Sequence, residues 1–290
     1  MHDSVRDTRK RKVLAPAKVN LHLAVGDRRE DGFHAIESVF ARTDLCDELE
    51  VELRECKEPQ VEVRGLEGLC DPGKDTMSKA AWLWMQRRGI PLAICITCTK
   101  RIPSQAGLGG GSSDAASLLL LLDALFPGEA DTLWEIGLQV GSDVPFFLSR
   151  TRIAWVTGRG EFVEPIEDVR PLFGMLVMPG GLKCATREAY EALDQTPRPS
   201  FQGKSRIEEC LRRGPSGYAG FLRNDFFEVV GSNPSYDLLL QASEGLDGYG
   251  ALSGSGSCWF FVSENQESVA RFSARLGSMA GRFDSWNIRI

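Results

Sequence analysis

No apolar run in the chain reaches the roughly 18–20 residues that a membrane-spanning helix needs. The polar start, Met1 to Lys12, leads into no apolar signal core, so neither a membrane partner nor export is expected. Positive charge is also short: 34 Lys and Arg stand against 40 Asp and Glu, a net charge of -6. A protein that holds nucleic acid by neutralising phosphates should be basic, so no nucleic-acid partner is expected. Any phosphate ligand must be held by local charge. The basic cluster Arg9-Lys10-Arg11-Lys12 reads as part of a solvated, flexible tail over residues 1–12. Internal repeats and low-complexity segments are missing too.

Paired cysteine motifs are likewise lacking. The eight cysteines (46, 56, 70, 95, 98, 184, 210 and 258) are dispersed, and only Cys95 and Cys98 have a ligand-like spacing. No second Cys-x-x-Cys and no nearby His completes a zinc set. Reduced, buried thiols and a cytoplasmic location follow.

What is present is enough for a folded protein of two domains: 290 residues, 42% of them hydrophobic. The order of elements places one domain at 1–165 and a second at 166–290, with Val169-Arg170-Pro171-Leu172 as a plausible linker. Val13 to Val25 reads as extended, and its alternation puts Lys18, Asn20 and His22 on one face. A polar loop, Gly26 to Gly32, leads to Phe33-His34 and a second extended run, so the two strands form a hairpin-like pair. Met77 to Arg88 has helical periodicity ended by Gly89 and Pro91, and 92–99 reads as a strand. Helical and strand-like pieces continue through the second half. The last strand, from Phe283, either closes the second domain or returns to the first.

The stretch with most chemical content follows the strand at 92–99. It runs Ile102-Pro103-Ser104-Gln105-Ala106-Gly107-Leu108-Gly109-Gly110-Gly111-Ser112-Ser113-Asp114-Ala115-Ala116 and opens a helix. Glycines remove side chains where backbone amides can converge, and a helix N-terminus fed by such a loop suits an anion. No Gly-Lys-Ser/Thr closes it, and Ser112 stands where a dinucleotide fingerprint has its third glycine. It is a phosphate cradle of another kind, or a tight helix start with serine caps. On the first view, a side chain at 109 or 110 should obstruct the ligand before it disturbs the fold. Lys100, just before the cradle, could reach a nucleotide or be a solvated strand end. Asp143, in Gly141-Ser142-Asp143-Val144-Pro145-Phe146-Phe147, is either a site carboxylate or the cap of a turn.

Ala15-Pro16-Ala17-Lys18-Val19-Asn20-Leu21, the glycine-rich stretch, and Leu252-Ser253-Gly254-Ser255-Gly256-Ser257-Cys258 together resemble the three motifs of the GHMP small-molecule kinases. Within that superfamily, Asp31-Gly32-Phe33-His34 and the 141–147 segment resemble members whose acceptor is a cytidyl diphosphate sugar alcohol. The resemblance implies an α+β fold in two domains, ribosomal protein S5 domain 2-like and ferredoxin-like. It implies ATP-dependent phosphorylation of a hydroxyl in the non-mevalonate route to isoprenoid precursors, with Mg²⁺, by a monomer or homodimer. By motif position, Asp143 is the general base, with Lys18 beside it, stabilising the transferring phosphoryl. Pro103 and the backbone of Ala106, Gly107, Leu108, Gly109, Gly110, Gly111, Ser112 and Ser113 bind the ATP phosphates, with Lys100 near the nucleotide. Ser112 or Ser113 faces the metal. On the acceptor side, Asn20 positions substrate and Phe33 and His34 form part of a cytosine pocket. Thr186 and Tyr190 belong to the same side, Tyr190 stacking on the base from its other face, and Gly254, Ser255 and Gly256 shape the wall. The family usually has Tyr at Phe33, Ala at Ser142, and Asn-Leu at Asp75-Thr76. Two other readings, a mevalonate- or homoserine-directed kinase and a non-catalytic nucleotide-binding regulator, are opposed by Asp31-Gly32-Phe33-His34 and by the joint presence of Lys18 and Asp143.

Overall fold

A computed structural model describes residues 9–128, 130–182, 185–279 and 282–290. Met1 to Thr8 of the expected tail, and Cys184, lie outside the described residues. In chain order the elements are β1 (Arg9–Arg28), β2 (His34–Glu55), β3 (Gln60–Arg64), α1 (Thr76–Arg88), β4 (Leu92–Thr99) and α2 (Gly110–Leu125). Then come α3 (Ala130–Val140), α4 (Val144–Leu148), β5 (Ile153–Gly158), β6 (Phe162–Pro165), β7 (Phe173–Pro179), α5 (Thr186–Leu193) and α6 (Lys204–Arg212). Last are α7 (Phe227–Val230), α8 (Pro234–Ser243), β8 (Tyr249–Leu252), β9 (Trp259–Ser263), α9 (Gln266–Gly277) and β10 (Phe283–Arg289). This is the mixed α+β content expected.

The chain separates into two compact units that interleave in sequence. The first comprises Met1–Ala17, Cys46–Ser104 and Gly109–Arg150; the second comprises Lys18–Leu45, Gln105–Leu108 and Thr151–Ile290. The boundary expected at 165/166 falls inside the second unit.

In the first unit β3 pairs parallel with β4, and β4 pairs antiparallel with the end of β2, Glu48 opposite Thr99 through Glu55 opposite Leu92. β4 alternates buried and open positions, so Cys98 faces inward while Cys95, three residues earlier, lies on the other face. A three-residue spacing on a strand separates two thiols instead of joining them at a metal. The Arg9-Lys10-Arg11-Lys12 cluster is not tail but the start of β1. Lys10 pairs with Glu50 and Glu52, and Lys12 with Glu48 and Glu50, at 2.7–3.2 Å. Alternating acids on β2 thus receive alternating bases on β1; the exposed pairs fix register more than stability.

Helices α1 to α4 pack together in this unit. Asp75 caps α1, its carboxylate accepting from Ser78 N at 2.8 Å, and Gly89 ends the helix in the left-handed conformation. The Lys79 ammonium donates to the Gln139 and Val140 carbonyls, tying α1 to the end of α3. α2 buries Ala115, Ala116, Leu118, Leu119 and Leu122, and each such Leu contributes roughly 1.5–3 kcal/mol over an exposed one.

In the second unit the first part of β2 pairs with β5, Ile36 opposite Gly158 through Ala41 opposite Ile153, and β5 pairs with β6. A separate four-stranded antiparallel sheet has the order β10-β7-β9-β8, with α9 packed on β7 and β9. The last strand therefore lies beside β7, Phe283 opposite Pro179, and does not return to the first sheet.

Candidate active site

The polar residues of β1 do not face solvent. Lys18 is 3% exposed, Asn20 1% and His22 0%. Burying such groups is costly unless they are paired, and each is paired within the second unit. The Lys18 ammonium donates to Asn20 Oδ1 at 2.6 Å and lies 4.7 Å from the centre of the Phe40 ring. Asn20 Oδ1 also accepts from Gly254 N at 2.9 Å, and Asn20 Nδ2 donates to Ser38 Oγ at 3.0 Å. Both donors to Oδ1 can only donate, which fixes the amide orientation. Asn20 therefore orients Lys18 and the 253–256 turn. His22 Nδ1 accepts from Arg223 N at 3.2 Å, so its other nitrogen carries the proton toward Glu37, 3.7 Å away. Burial pushes the His22 imidazole below its usual range and keeps it neutral.

The glycine-rich stretch divides at Leu108. In the second unit the Ala106 carbonyl accepts from Cys258 N, the Gly107 carbonyl from Ser253 Oγ, and the Leu108 carbonyl from Lys18 N, at 2.9–3.3 Å. These bonds fix the backbone of residues 106–108 within the second unit. Gly107 has φ +74°, and a Cβ there would stand 2.0 Å from the Ser253 carbonyl oxygen. This glycine is required by the fold.

In the first unit α2 begins at Gly110, one turn earlier than the serines suggest, and its cap is Gly109 at φ +69° with no side-chain bond. The serine-cap alternative does not hold. Nor do glycines 109 and 110 serve the ligand alone. A β-branched residue at 109 would be strained in the left-handed region whatever the ligand does. A Cβ at Gly110 points to Ile102 Cγ2 and Lys100 Nζ, 3.2 and 3.3 Å away, inside the unit. Lys100 is not a solvated strand end. Its side chain is 16% exposed and its ammonium bonds the carboxylates of Asp47 and Asp114.

Asp143 precedes α4 at φ -86° and makes no side-chain capping bond there. Ser112 lies near its turn, since Ser112 Oγ is 3.5 Å from where a Cβ on Gly141 would stand. Ser113 is wholly buried. The hydroxyl of Ser112 is thus the better placed of the two for a metal that arrives with phosphates. Among the described residues no three His, Cys, Asp or Glu side chains gather as a metal set.

On the acceptor side, His34 Nε2 lies 2.7 Å from Asp194 Oδ1, and its ring stacks on Tyr190 with centroids 4.8 Å apart. That spacing is direct contact, so a base does not fit between these two rings as they stand. Tyr190 meets Phe226 edge-on at 4.8 Å. Phe33 is 48% exposed with the Arg159 guanidinium 5.0 Å from its ring centre. Thr186 Oγ1 and Ser255 Oγ are 2.9 Å apart, and Gly254 packs on Gly107.

Sequence reasoning did not single out Asn224 or Asp194. Asn224 Nδ2 donates to the Leu252 and Gly254 carbonyls at 2.7 and 2.9 Å, pinning the glycine-serine turn. Its one signal was the pair Asn224-Asp225 before an apolar Phe-Phe. Asp194, at the end of α5, had none.

The model of the GHMP kinases N terminal domain matches residues 75–150. A 4-diphosphocytidyl-2-C-methyl-D-erythritol kinase of Treponema pallidum is 35% identical over 275 residues, covering 89% of this chain and 91% of its own. The crystal structure of a 4-(cytidine 5'-diphospho)-2C-methyl-D-erythritol kinase superposes with a TM-score of 0.76 at 34% identity, over 96% of this chain and 99% of that one. A homoserine kinase from Cytophaga hutchinsonii superposes at 0.67 with 17% identity, over 99% and 96%, a likeness of fold alone.

Proposed function

The chain belongs to the 4-diphosphocytidyl-2-C-methyl-D-erythritol kinases of the GHMP superfamily, and from that membership we propose the reaction it carries out. It transfers the γ-phosphoryl group of ATP to the 2-hydroxyl of 4-diphosphocytidyl-2-C-methyl-D-erythritol, a step toward isoprenoid precursors. The products are the 2-phosphate and ADP.

The observation within the chain that carries this reading is the ammonium of Lys18, buried and oriented by Asn20 on a strand face. A loose phosphoryl-transfer transition state asks the protein mainly for positioning and electrostatics. Asp143, whose carboxylate is not used in capping, takes the proton as the hydroxyl oxygen bonds to phosphorus. The bond from phosphorus to the bridging oxygen breaks, and its electron pair leaves with ADP. Lys18 stabilises the charge on the transferring group. The amides of Ala106 to Ser112 hold the phosphates, and Ser112 holds Mg²⁺ through its hydroxyl. When bound, the metal neutralises charge on the phosphates. His34, Phe33, Tyr190 and Thr186 form the acceptor side, and a base stacks there only where Tyr190 and His34 part or present an outer face. Location in the cytoplasm agrees with the free thiols among the described cysteines.

Purified protein offered ATP with the cytidyl diphosphate acceptor, mevalonate or homoserine, and followed by ³¹P NMR and ADP release, should phosphorylate the first. Transfer to mevalonate or homoserine alone would refute the choice of acceptor.

A further inference from the structure

A buried cluster of three ionisable side chains lies under the first turn of α2. Asp47, at 0% exposure, accepts through Oδ1 from the amides of Arg101 and Ile102 at 2.6 and 2.9 Å. These are the residues by which the chain leaves β4 for the glycine-rich stretch. Through Oδ2 the same carboxylate accepts from the Lys100 ammonium. Asp114, in the first turn of α2 and 2% exposed, accepts from that ammonium through Oδ2 at 2.8 Å. Its Oδ1 is buried with no hydrogen-bond partner. The ammonium sits immediately below Gly110, 3.3 Å from where a Cβ would stand.

An ordinary core would fill this place with apolar side chains at no loss of stability. Two carboxylates around one lysine, one of them short of a partner, form an expensive connection between three points of the backbone: β2 at 47, the exit of β4 at 101–102, and the start of α2. We infer that Asp47, Lys100 and Asp114 act as a buried strut that positions the amides of the phosphate cradle, so that Lys100 is a positioning residue and not a nucleotide ligand. The inference rests on the kinase reading for the identity of the anion. A helix start that shifts by a fraction of an ångström misaligns several N–H groups toward the phosphates at once, whereas the acceptor and the general base are untouched.

The test is the affinity of the full chain for MgADP by titration calorimetry, with a thermal melt on each variant. Asp114→Ala unties the helix start and releases Lys100 from Asp114, leaving it on Asp47 alone. The strut predicts MgADP affinity lower by about tenfold, near 1.4 kcal/mol, and the KM for the acceptor within about twofold of wild type. If Lys100 were a nucleotide ligand restrained by Asp114, its release would leave affinity unchanged or raise it, and either result overturns the strut. Asp114→Asn keeps an acceptor opposite Lys100 and should bind within about twofold of wild type. A tenfold loss in that variant also overturns the proposal, even where the alanine variant does not fold. Wild-type protein that binds MgADP yet phosphorylates no acceptor would end the functional reading and leave the strut standing. Unaltered affinity in Asp114→Ala would do the reverse.

Discussion

Gly107→Ala should unfold the protein more readily than any other alanine substitution in the glycine-rich stretch. Three costs add at this one position. A left-handed residue with a Cβ is disfavoured by about 1–2 kcal/mol. The new Cβ would stand 2.0 Å from the Ser253 carbonyl oxygen and 2.8 Å from its carbon, a backbone obstacle that no side-chain rotation clears. Parting the two segments also strains the bond from Ser253 Oγ to the Gly107 carbonyl, 2.9 Å long, for about 1 kcal/mol. The total is about 3 kcal/mol or more, and at roughly 2–4 °C per kcal/mol for a chain somewhat smaller than this one the melting temperature falls by about 6–12 °C. Gly110→Ala is the internal control. Its Cβ would meet Ile102 Cγ2, Lys100 Nζ and Ile102 Cβ at 3.2–3.4 Å, a few tenths of an ångström too close to side chains and not to backbone, a small cost set against alanine's advantage over glycine in a helix of up to about 1 kcal/mol. It should melt close to wild type. Calorimetric melts of the three proteins decide the matter: a Gly107→Ala melt within about 2 °C of wild type, or one above that of Gly110→Ala, would refute the assignment of Gly107 to backbone packing.

Asp143→Asn should bind MgADP as wild type does and turn over at least about 10²-fold more slowly, and wild-type turnover would remove the general-base assignment. Lys18→Ala should lose turnover far more than affinity for either substrate; a change confined to KM would refute its transition-state role. Burial and the like charge of Asp47 push Asp114 up to about 7 against the pull of Lys100. The folded chain therefore keeps a proton that the unfolded chain releases near pH 4, and stability falls as pH rises from about 4 to about 7 by up to a few kcal/mol. Asp114→Asn lacks that loss, so its melting temperature relative to wild type should be higher at pH 8 than at pH 5, and a constant difference would refute the assignment.

Elements with local signatures were legible in the sequence. α1 carries its own cap and its own stop, and β4 its own alternation, so both appear within a residue or two of where their side chains place them. What was hidden depends on partners remote in the chain. The basic cluster at 9–12 looks like a tail until Glu48, Glu50 and Glu52 stand beside it. Lys100 looks like a free cation until a carboxylate 53 residues earlier claims it. Tyr190 looks like one side of a sandwich around a base, and instead lies on His34, whose own orientation is set by Asp194. No window of ten or fifteen residues contains any of these pairs.

The polar face of β1 shows why motif residues need this second reading. Alternation in Lys18-Val19-Asn20-Leu21-His22 ordinarily means one face in water, yet both faces are buried. A buried strand face built for stability alone would be Val, Leu or Ile, and substitution of buried polar sets by apolar ones is often neutral or favourable. Polar residues there must therefore be matched by others, and the match extends outward: Asn20 to Ser38 and Gly254, His22 to Arg223, Asn224 to Gly254. Each partner fixes the position of the one before it, ending at the ammonium of Lys18. A charge held this way needs little reorganisation when a phosphoryl group develops charge of its own, and that saving is what a preorganised site contributes to rate. The residues around Lys18 are thus as much a part of the candidate site as the three motifs from which it was first read.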